Sequence, residues 1–251
     1  MDRMLEVQEV DKNFGGLYAL NKVELYVTEG EIAGLIGPNG SGKTTLFNVI
    51  SGVYKPTNGK VTFDGVDISS KAPEEISKLG IARTYQLVRP FLNMAAADNV
   101  MVGALFGSKF RARKSLKEAR KLAEKSLEMV GIPRTDWDKP ISYINLVNRK
   151  RIDLAKALAQ EPRIILIDEV AAGLNPSEKE YMIDLLRHIR ENNITLLIVE
   201  HDMRTIMTVC DRITVLNFGH KIAEGTPAEV EGNTEVIRAY LGEKYAESKQ
   251  H

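Results

Sequence analysis

The sequence predicts an α/β protein, and three observations carry that prediction. Short apolar runs without polar alternation, IAGLI (Ile32–Ile36), RIILID (163–168) and ITLLIV (194–199), have the length and β-branched content of parallel strands buried on both faces. Segments such as TTLFNVISGVY and SEKEYMIDLLRHIREN repeat apolar residues at helical spacing. A glycine-rich loop joins the first of these strands to the first of these helices, giving strand, loop, helix.

That loop lies in GLIGPNGSGKTT, residues 34–45. Glycines at Gly37, Gly40 and Gly42 let successive backbone N–H groups turn inward, and the end of the following helix adds partial positive charge. Phosphate is the natural guest. Lys43 is expected to reach the β- and γ-phosphates, and the Thr44 hydroxyl to ligate Mg²⁺ bridging them. Pro38, Asn39 and Ser41 complete the G-x-x-x-x-G-K-T element, and Thr45 follows it in the same phosphate-holding stretch, so the fold expected is a P-loop NTPase core.

Composition sets the outer limits. The 251 residues suffice for one large α/β domain or a core with a subdomain. Lys plus Arg and Asp plus Glu both number 34, so no global basic excess advertises nucleic acid. The single cysteine, Cys210, fits a reducing compartment and reads as a buried small apolar residue. No signal-peptide core opens the sequence, and no window approaches about 18 uninterrupted apolar residues. The chain is expected neither to span a membrane nor to be exported.

In chain order, MLEVQEV and NKVELYV flank the Gly15-Gly16 turn and predict a hairpin leading into the phosphate-loop strand. Asn58-Gly59 and Asp64-Gly65 predict turns on either side of a short strand, VTF. A helix over 73–78 and a small strand in GIARTYQ follow. Residues 88–160 carry helical spacing among many charges, with KFRARKSLKEARK read as a solvated face because acids are interleaved. A helix in NRKRIDLAKALAQ stops at Glu161-Pro162. RITVLNFGHKIAEG predicts a terminal hairpin and EVIRAYLGEKYAE a last helix. The core is thus expected from residues 1–87 with 161–251, including an N-terminal antiparallel β subdomain, and an α-helical subdomain insert from 88–160.

Two strand ends add chemistry. Asp168 follows four apolar residues and precedes Glu169, and an acid at the end of a parallel strand faces the crevice where ligands bind. Asp168 is placed to hold a metal shell, and Glu169 to orient or deprotonate an attacking water. His201, in IVEHD, is placed where an imidazole contacts a γ-phosphate or positions that water.

GPNGSGKTT, the aromatic Phe14 ahead of it, Gln86, NRKRIDLAKALAQEPRIILIDE, GLNP and IVEHD together resemble the ATP-binding subunit of an ABC transporter over essentially the whole chain. ARTYQLVRPF, HKIAEGTPAEV and EVIRAYLGE resemble the Liv-type ATPases of branched-chain amino-acid importers. The resemblance implies a RecA-like core that binds and hydrolyses ATP with Mg²⁺. Phe14 would stack on adenine, residues 37–45 would hold the phosphates, Gln86 and Asp168 would serve the metal, Glu169 the water, and His201 would be the switch histidine. It also implies a homodimer, or a heterodimer with a second ABC ATPase, on integral membrane permease subunits at the cytoplasmic face. An extracytoplasmic substrate-binding protein would act indirectly, and no nucleic acid is expected.

The sequence departs from the family pattern at its signature segment. Counting back about twenty-three residues from Asp168 places the usual serine at Asn145, so Ile144, Asn145, Leu146, Val147 and Asn148 stand in for LSGGQ without either glycine. A rival placement on residues 141–145 keeps Ser142 but needs three extra residues before the RKR helix. In the family this segment starts a helix and contacts the γ-phosphate held by the opposite subunit. Val170 stands where proline is usual, and Asn175 where aspartate is. Two other classes compete: a soluble ABC-type ATPase acting on nucleic acid or ribosomes, which would bring a coiled coil or a duplicated cassette, and a non-hydrolysing interaction module, against which Glu169 and His201 argue.

Overall fold

The structure is a computed structural model and describes residues 3–84, 90–107 and 114–241. The chain packs as two compact units, one from 1–73 with 195–251 and the other from 74–194.

The first unit opens with strands β1 (Arg3–Phe14) and β2 (Leu17–Thr28), an antiparallel hairpin turning at Gly15-Gly16. Strand β3 (Ile32–Ile36) is buried at all five positions, as its unbroken apolar run requires, and leads into helix α1 (Lys43–Ile50). Strand β4 (Asn58–Phe63) pairs with β1, and β5 (Val66–Asp67) pairs with β4, giving the order β2-β1-β4-β5. Asp64-Gly65 makes the expected turn, with φ of 48° and 73°. Asn58-Gly59 does not: it opens strand β4 itself. Its glycine answers a different need, because the β1–β4 register shifts between Gln8 and Asp11. A Cβ on Gly59 would stand 2.3 Å from the Glu9 carbonyl oxygen. Close backbone approach at a bulge selects glycine as strongly as a hairpin does.

The second unit carries helix α2 (Pro73–Leu79), strand β6 (Ile81–Arg83), helices α3 (Ala96–Phe106), α4 (Leu116–Met129) and α5 (Leu146–Leu158), strand β7 (Ile164–Asp168) and helix α6 (Pro176–Glu191). β6 and β7 run parallel, with Ile81 opposite Ile164 and Arg83 opposite Leu166. Capping residues set the helix starts. Ser115 with Glu118 forms a capping box on α4, and the Ser115 backbone N–H and hydroxyl hold the Glu118 carboxyl below its ordinary pKa. Asn175 and Glu178 form a second capping box, on α6, with Pro176 in its first turn. Asparagine therefore performs at 175 the capping that aspartate would. Of the charged run expected to be a solvated face, residues 109–113 lie outside the described residues.

The chain returns to the first unit with strand β8 (Thr195–Val199), helix α7 (Met203–Val209), strands β9 (Arg212–Asn217) and β10 (His220–Gly225), and helices α8 (Pro227–Glu231) and α9 (Thr234–Leu241). Here β3 lies between β8 and β9, parallel to both, and β10 folds back antiparallel on β9. Arg212 ties this end together, with Nη2 2.6 Å from Glu31 Oε1, Nη1 donating to Glu224, and its guanidinium 3.7 Å from the Tyr26 ring centroid. Arg212 and both acids are partly buried, so the pairs are less screened than pairs on the open surface. Cys210 is buried, and a Cβ on Gly34 would come within 2.9 Å of its sulfur. Burial pushes the Cys210 thiol well above its ordinary pKa.

Candidate nucleotide-binding site

The loop after β3 is built against the ends of β2 and β9. Gly42 caps α1 with φ 108°, and a Cβ there would lie 2.7 Å from the Ala19 carbonyl oxygen. A Cβ on Gly37 would stand 2.1 Å from the Leu216 carbonyl oxygen and 2.5 Å from Ser41 Oγ. Both glycines are therefore demanded by space. The turn between β9 and β10 braces the loop from outside: Gly219 N–H donates to the Ser41 carbonyl at 3.0 Å, and Asn21 N–H donates to the Gly219 carbonyl at 2.9 Å. This cradle presents backbone at the N-terminus of α1, which suits a polyphosphate.

Lys43 is buried and folds back along the loop, where Nζ donates to the carbonyls of Gly37 at 2.7 Å and Pro38 at 3.0 Å. Thr44 is exposed beside it, Thr45 is half-buried, and Asn39 and Gly40 are exposed at the crown of the loop. Phe14, at the end of β1, is 44% exposed and meets Tyr54 edge-on with centroids 5.2 Å apart. Lys12 Nζ stands 4.9 Å from the Phe14 centroid. The sequence reading missed Tyr54, because an isolated aromatic after a helix carries no spacing signal.

In the second unit, Asp168 ends β7 with its side chain buried, and its Oδ2 lies 3.3 Å from Arg83 Nη2. The Asp168 N–H donates to Thr84 Oγ1 at 3.3 Å. Arg83 was also missed, although a charge closing a buried strand was visible as the last residue of IAR. Glu169 follows with φ +50°, in the left-handed region that side chains rarely adopt. Gln86 lies outside the described residues. In the first unit, β8 ends at Val199, so His201 falls beyond the strand and is exposed, and Asp202 caps α7 by accepting from Thr205 N–H at 3.3 Å.

Asn145 is the N-cap of α5, and its Oδ1 accepts from Asn148 N–H at 2.9 Å. The residue reached by counting from Asp168 therefore opens the helix. Ser142 lies upstream in a separate 3₁₀ turn, Ile141–Tyr143, and its carbonyl accepts from Arg149 Nη2. Leu146 is exposed and Val147 half-exposed in the first turn.

The apolar run after position 90 divides in two. Phe91, Leu92 and Met94 are exposed, whereas Ala96, Ala97 and Val100 are core. Asn99, 1% exposed, fixes the exposed part: its Oδ1 accepts from Phe91 N–H at 2.8 Å, and Nδ2 donates to the carbonyls of Phe91, Met94 and Ala95.

The donor chemistry fits the groups that the motifs imply. The glycine loop is a cradle that side chains would fill, and the Thr44 hydroxyl that follows it is a hard oxygen of the kind Mg²⁺ takes; in the second unit the Asp168 carboxylate is another. Among the described residues no cluster of three or more His, Cys, Asp or Glu forms a metal site.

Residues 20–172 match the model of the family described as ABC transporter, and residues 220–246 match that of the branched-chain amino acid ATP-binding cassette transporter. The chain is 38% identical over 252 residues to the high-affinity branched-chain amino acid transport ATP-binding protein BraF of Pseudomonas aeruginosa, covering 96% of this chain and 98% of that one. A probable LivG of Archaeoglobus fulgidus is 35% identical, with 98% of each covered. Among solved structures, an ATP-binding cassette of an ABC transporter in its ADP conformation superposes with TM-score 0.88 at 30% identity, covering 97% of this chain and all of the other. A dimeric cassette bound to ADP and Pi superposes with TM-score 0.79 at 29% identity, covering 89% and 99%. With the phosphate loop, the strand-end acids and an end-to-end match in agreement, the chain belongs to the ABC transporter family of ATP-binding cassettes.

Proposed function

We propose that this protein hydrolyses ATP to power import of branched-chain amino acids, and the observation that carries the substrate class is its end-to-end similarity to BraF. Lys43 leaves the carbonyls of its own loop and neutralises the β- and γ-phosphates. Residues 37–45 hold the phosphates, and Phe14 presents its exposed face to adenine. Thr44, Asp168 and Gln86 would hold Mg²⁺, which when bound would supply charge stabilisation to the transferring phosphoryl group. Glu169 orients the attacking water and takes its proton, and His201 holds the same water toward the γ-phosphate.

Two copies, or one copy and a related cassette, pair head to tail, and the start of α5 reaches the ATP of the opposite subunit with Asn145, Leu146, Val147 and Asn148. Residues 88–160 act as the helical subdomain on a core of 1–87 and 161–251. In keeping with the family match, integral permease subunits form the path and the cassette sits on their cytoplasmic face; among the described residues no helix is long and apolar enough to cross a membrane. A substrate-binding protein outside delivers the solute.

The test is transport by the assembled complex. Proteoliposomes holding the cassette with its permease subunits, loaded inside with ATP, are expected to accumulate labelled leucine, isoleucine or valine in the presence of the binding protein. Uptake of an unrelated solute in their place would overturn the substrate class.

A further inference from the structure

Lys150 lies in the second turn of α5, where its side chain is buried with 7% of its surface exposed. Its Nζ donates to the carbonyl oxygens of Glu169 at 3.3 Å, Val170 at 3.0 Å and Ala172 at 2.6 Å. All three acceptors belong to the loop between β7 and α6. A buried ammonium is costly unless it is hydrogen-bonded, and charge-assisted bonds are the strong ones, so this contact fixes the loop firmly. The loop's own turn bonds are long, at 3.4 Å from Ala172 N–H to the Glu169 carbonyl and 3.2 Å from Leu174 N–H to the Ala171 carbonyl. Glu169 in addition holds φ +50°, a conformation that persists only where surroundings enforce it.

We propose that Lys150 is a positioning residue, which sets the backbone of Glu169, and through it the aim of the carboxylate, from the helix whose first turn begins at Asn145. The inference rests on the reading that Glu169 acts on the attacking water and that α5 faces the ATP of the opposite subunit. A shift of α5 on engaging phosphate in one composite site then moves the acid that serves the other. The two ATP sites of a dimer are thereby coupled through one side chain in each subunit.

Lys150→Met keeps the apolar stem and removes the donors, while Lys150→Arg keeps a charge that can reach carbonyls. In steady-state assays of the full chain, Lys150→Met is expected to lose about 10- to 100-fold in kcat, the scale of a small misplacement of a reacting group. The KM for ATP should stay within about twofold, since binding groups are untouched. Lys150→Arg should recover part of the loss. Combined with Glu169→Gln, Lys150→Met should slow single-turnover hydrolysis no further, because a residue acting through Glu169 has nothing left to aim. Unchanged kcat in folded Lys150→Met, or losses that multiply in the double variant, overturn the proposal. If Lys150→Met does not fold, Lys150→Gln carries the same comparison. Wild-type turnover in Glu169→Gln would instead remove the parent reading, a result separable from failure of Lys150 alone.

Discussion

Arg83 and Asp168 form a buried ion pair, with Nη2 3.3 Å from Oδ2 and each side chain only 7% exposed. The acid expected to serve a metal is thus already opposed by a cation on the neighbouring parallel strand. Removing one partner of a buried pair strands the other, at a cost of about 3–5 kcal/mol. Arg83→Met should therefore lower the urea midpoint markedly, and adding Asp168→Asn should recover much of the loss. Equal destabilisation in the single and double variants would show that the pair itself contributes little.

Lys43→Ala should abolish tight ATP binding, because it removes the cation that compensates the β- and γ-phosphates. Its present hydrogen bonds to Gly37 and Pro38 carbonyls place it within the loop that grips them. Equilibrium binding of a labelled nucleotide measures this, and unchanged affinity would refute the role.

Glu169→Gln should keep ATP affinity and cut turnover by at least about a hundredfold, the scale of losing a positioned base. It should also accumulate an ATP-bound dimer, seen by gel filtration. Because Glu169 holds φ +50°, Glu169→Gly should relieve strain of about 1 kcal/mol or more. A raised melting temperature with turnover lost would separate the conformational demand from the chemical one.

Asn145→Ala removes the α5 cap, a cost of about 1 kcal/mol, and by the proposed trans contact should reduce ATP hydrolysis about 10²- to 10³-fold. Monomer affinity for ATP should be nearly intact. Asn145→Ser, which caps equally well, should be tolerated. If Ser142→Ala impairs hydrolysis and dimerisation while Asn145→Ala does not, the signature lies on residues 141–145.

Phe91, Leu92 and Met94 form an exposed apolar turn held by buried Asn99. A cysteine at Asn93 should cross-link to the permease subunit in the assembled transporter. Capture only by residues on another face would show that the permease docks away from this turn. Arg89, the other position suited to this test, lies outside the described residues.

The sequence alone determined the elements whose signals are local. IAGLI, IILID and TLLIV carry the signature of doubly covered strands, and each is buried at all five positions. The phosphate loop was legible because its glycines, lysine and threonine act through a contiguous stretch of backbone. Asn145, the position reached by counting back from Asp168, is the N-cap of α5, a start that asparagine before a helical run signals locally. What only the tertiary structure decided involves partners distant in sequence. Gly59 read as a turn, yet it serves a bulge against Glu9. Arg83 finds Asp168 85 residues away, Asn99 closes the loop before it, and Lys150 reaches the carbonyls beyond β7. Periodicity and motif report which face of an element is buried, whereas these contacts depend on which two elements the packing brings side by side, and a single chain carries no local mark of that choice.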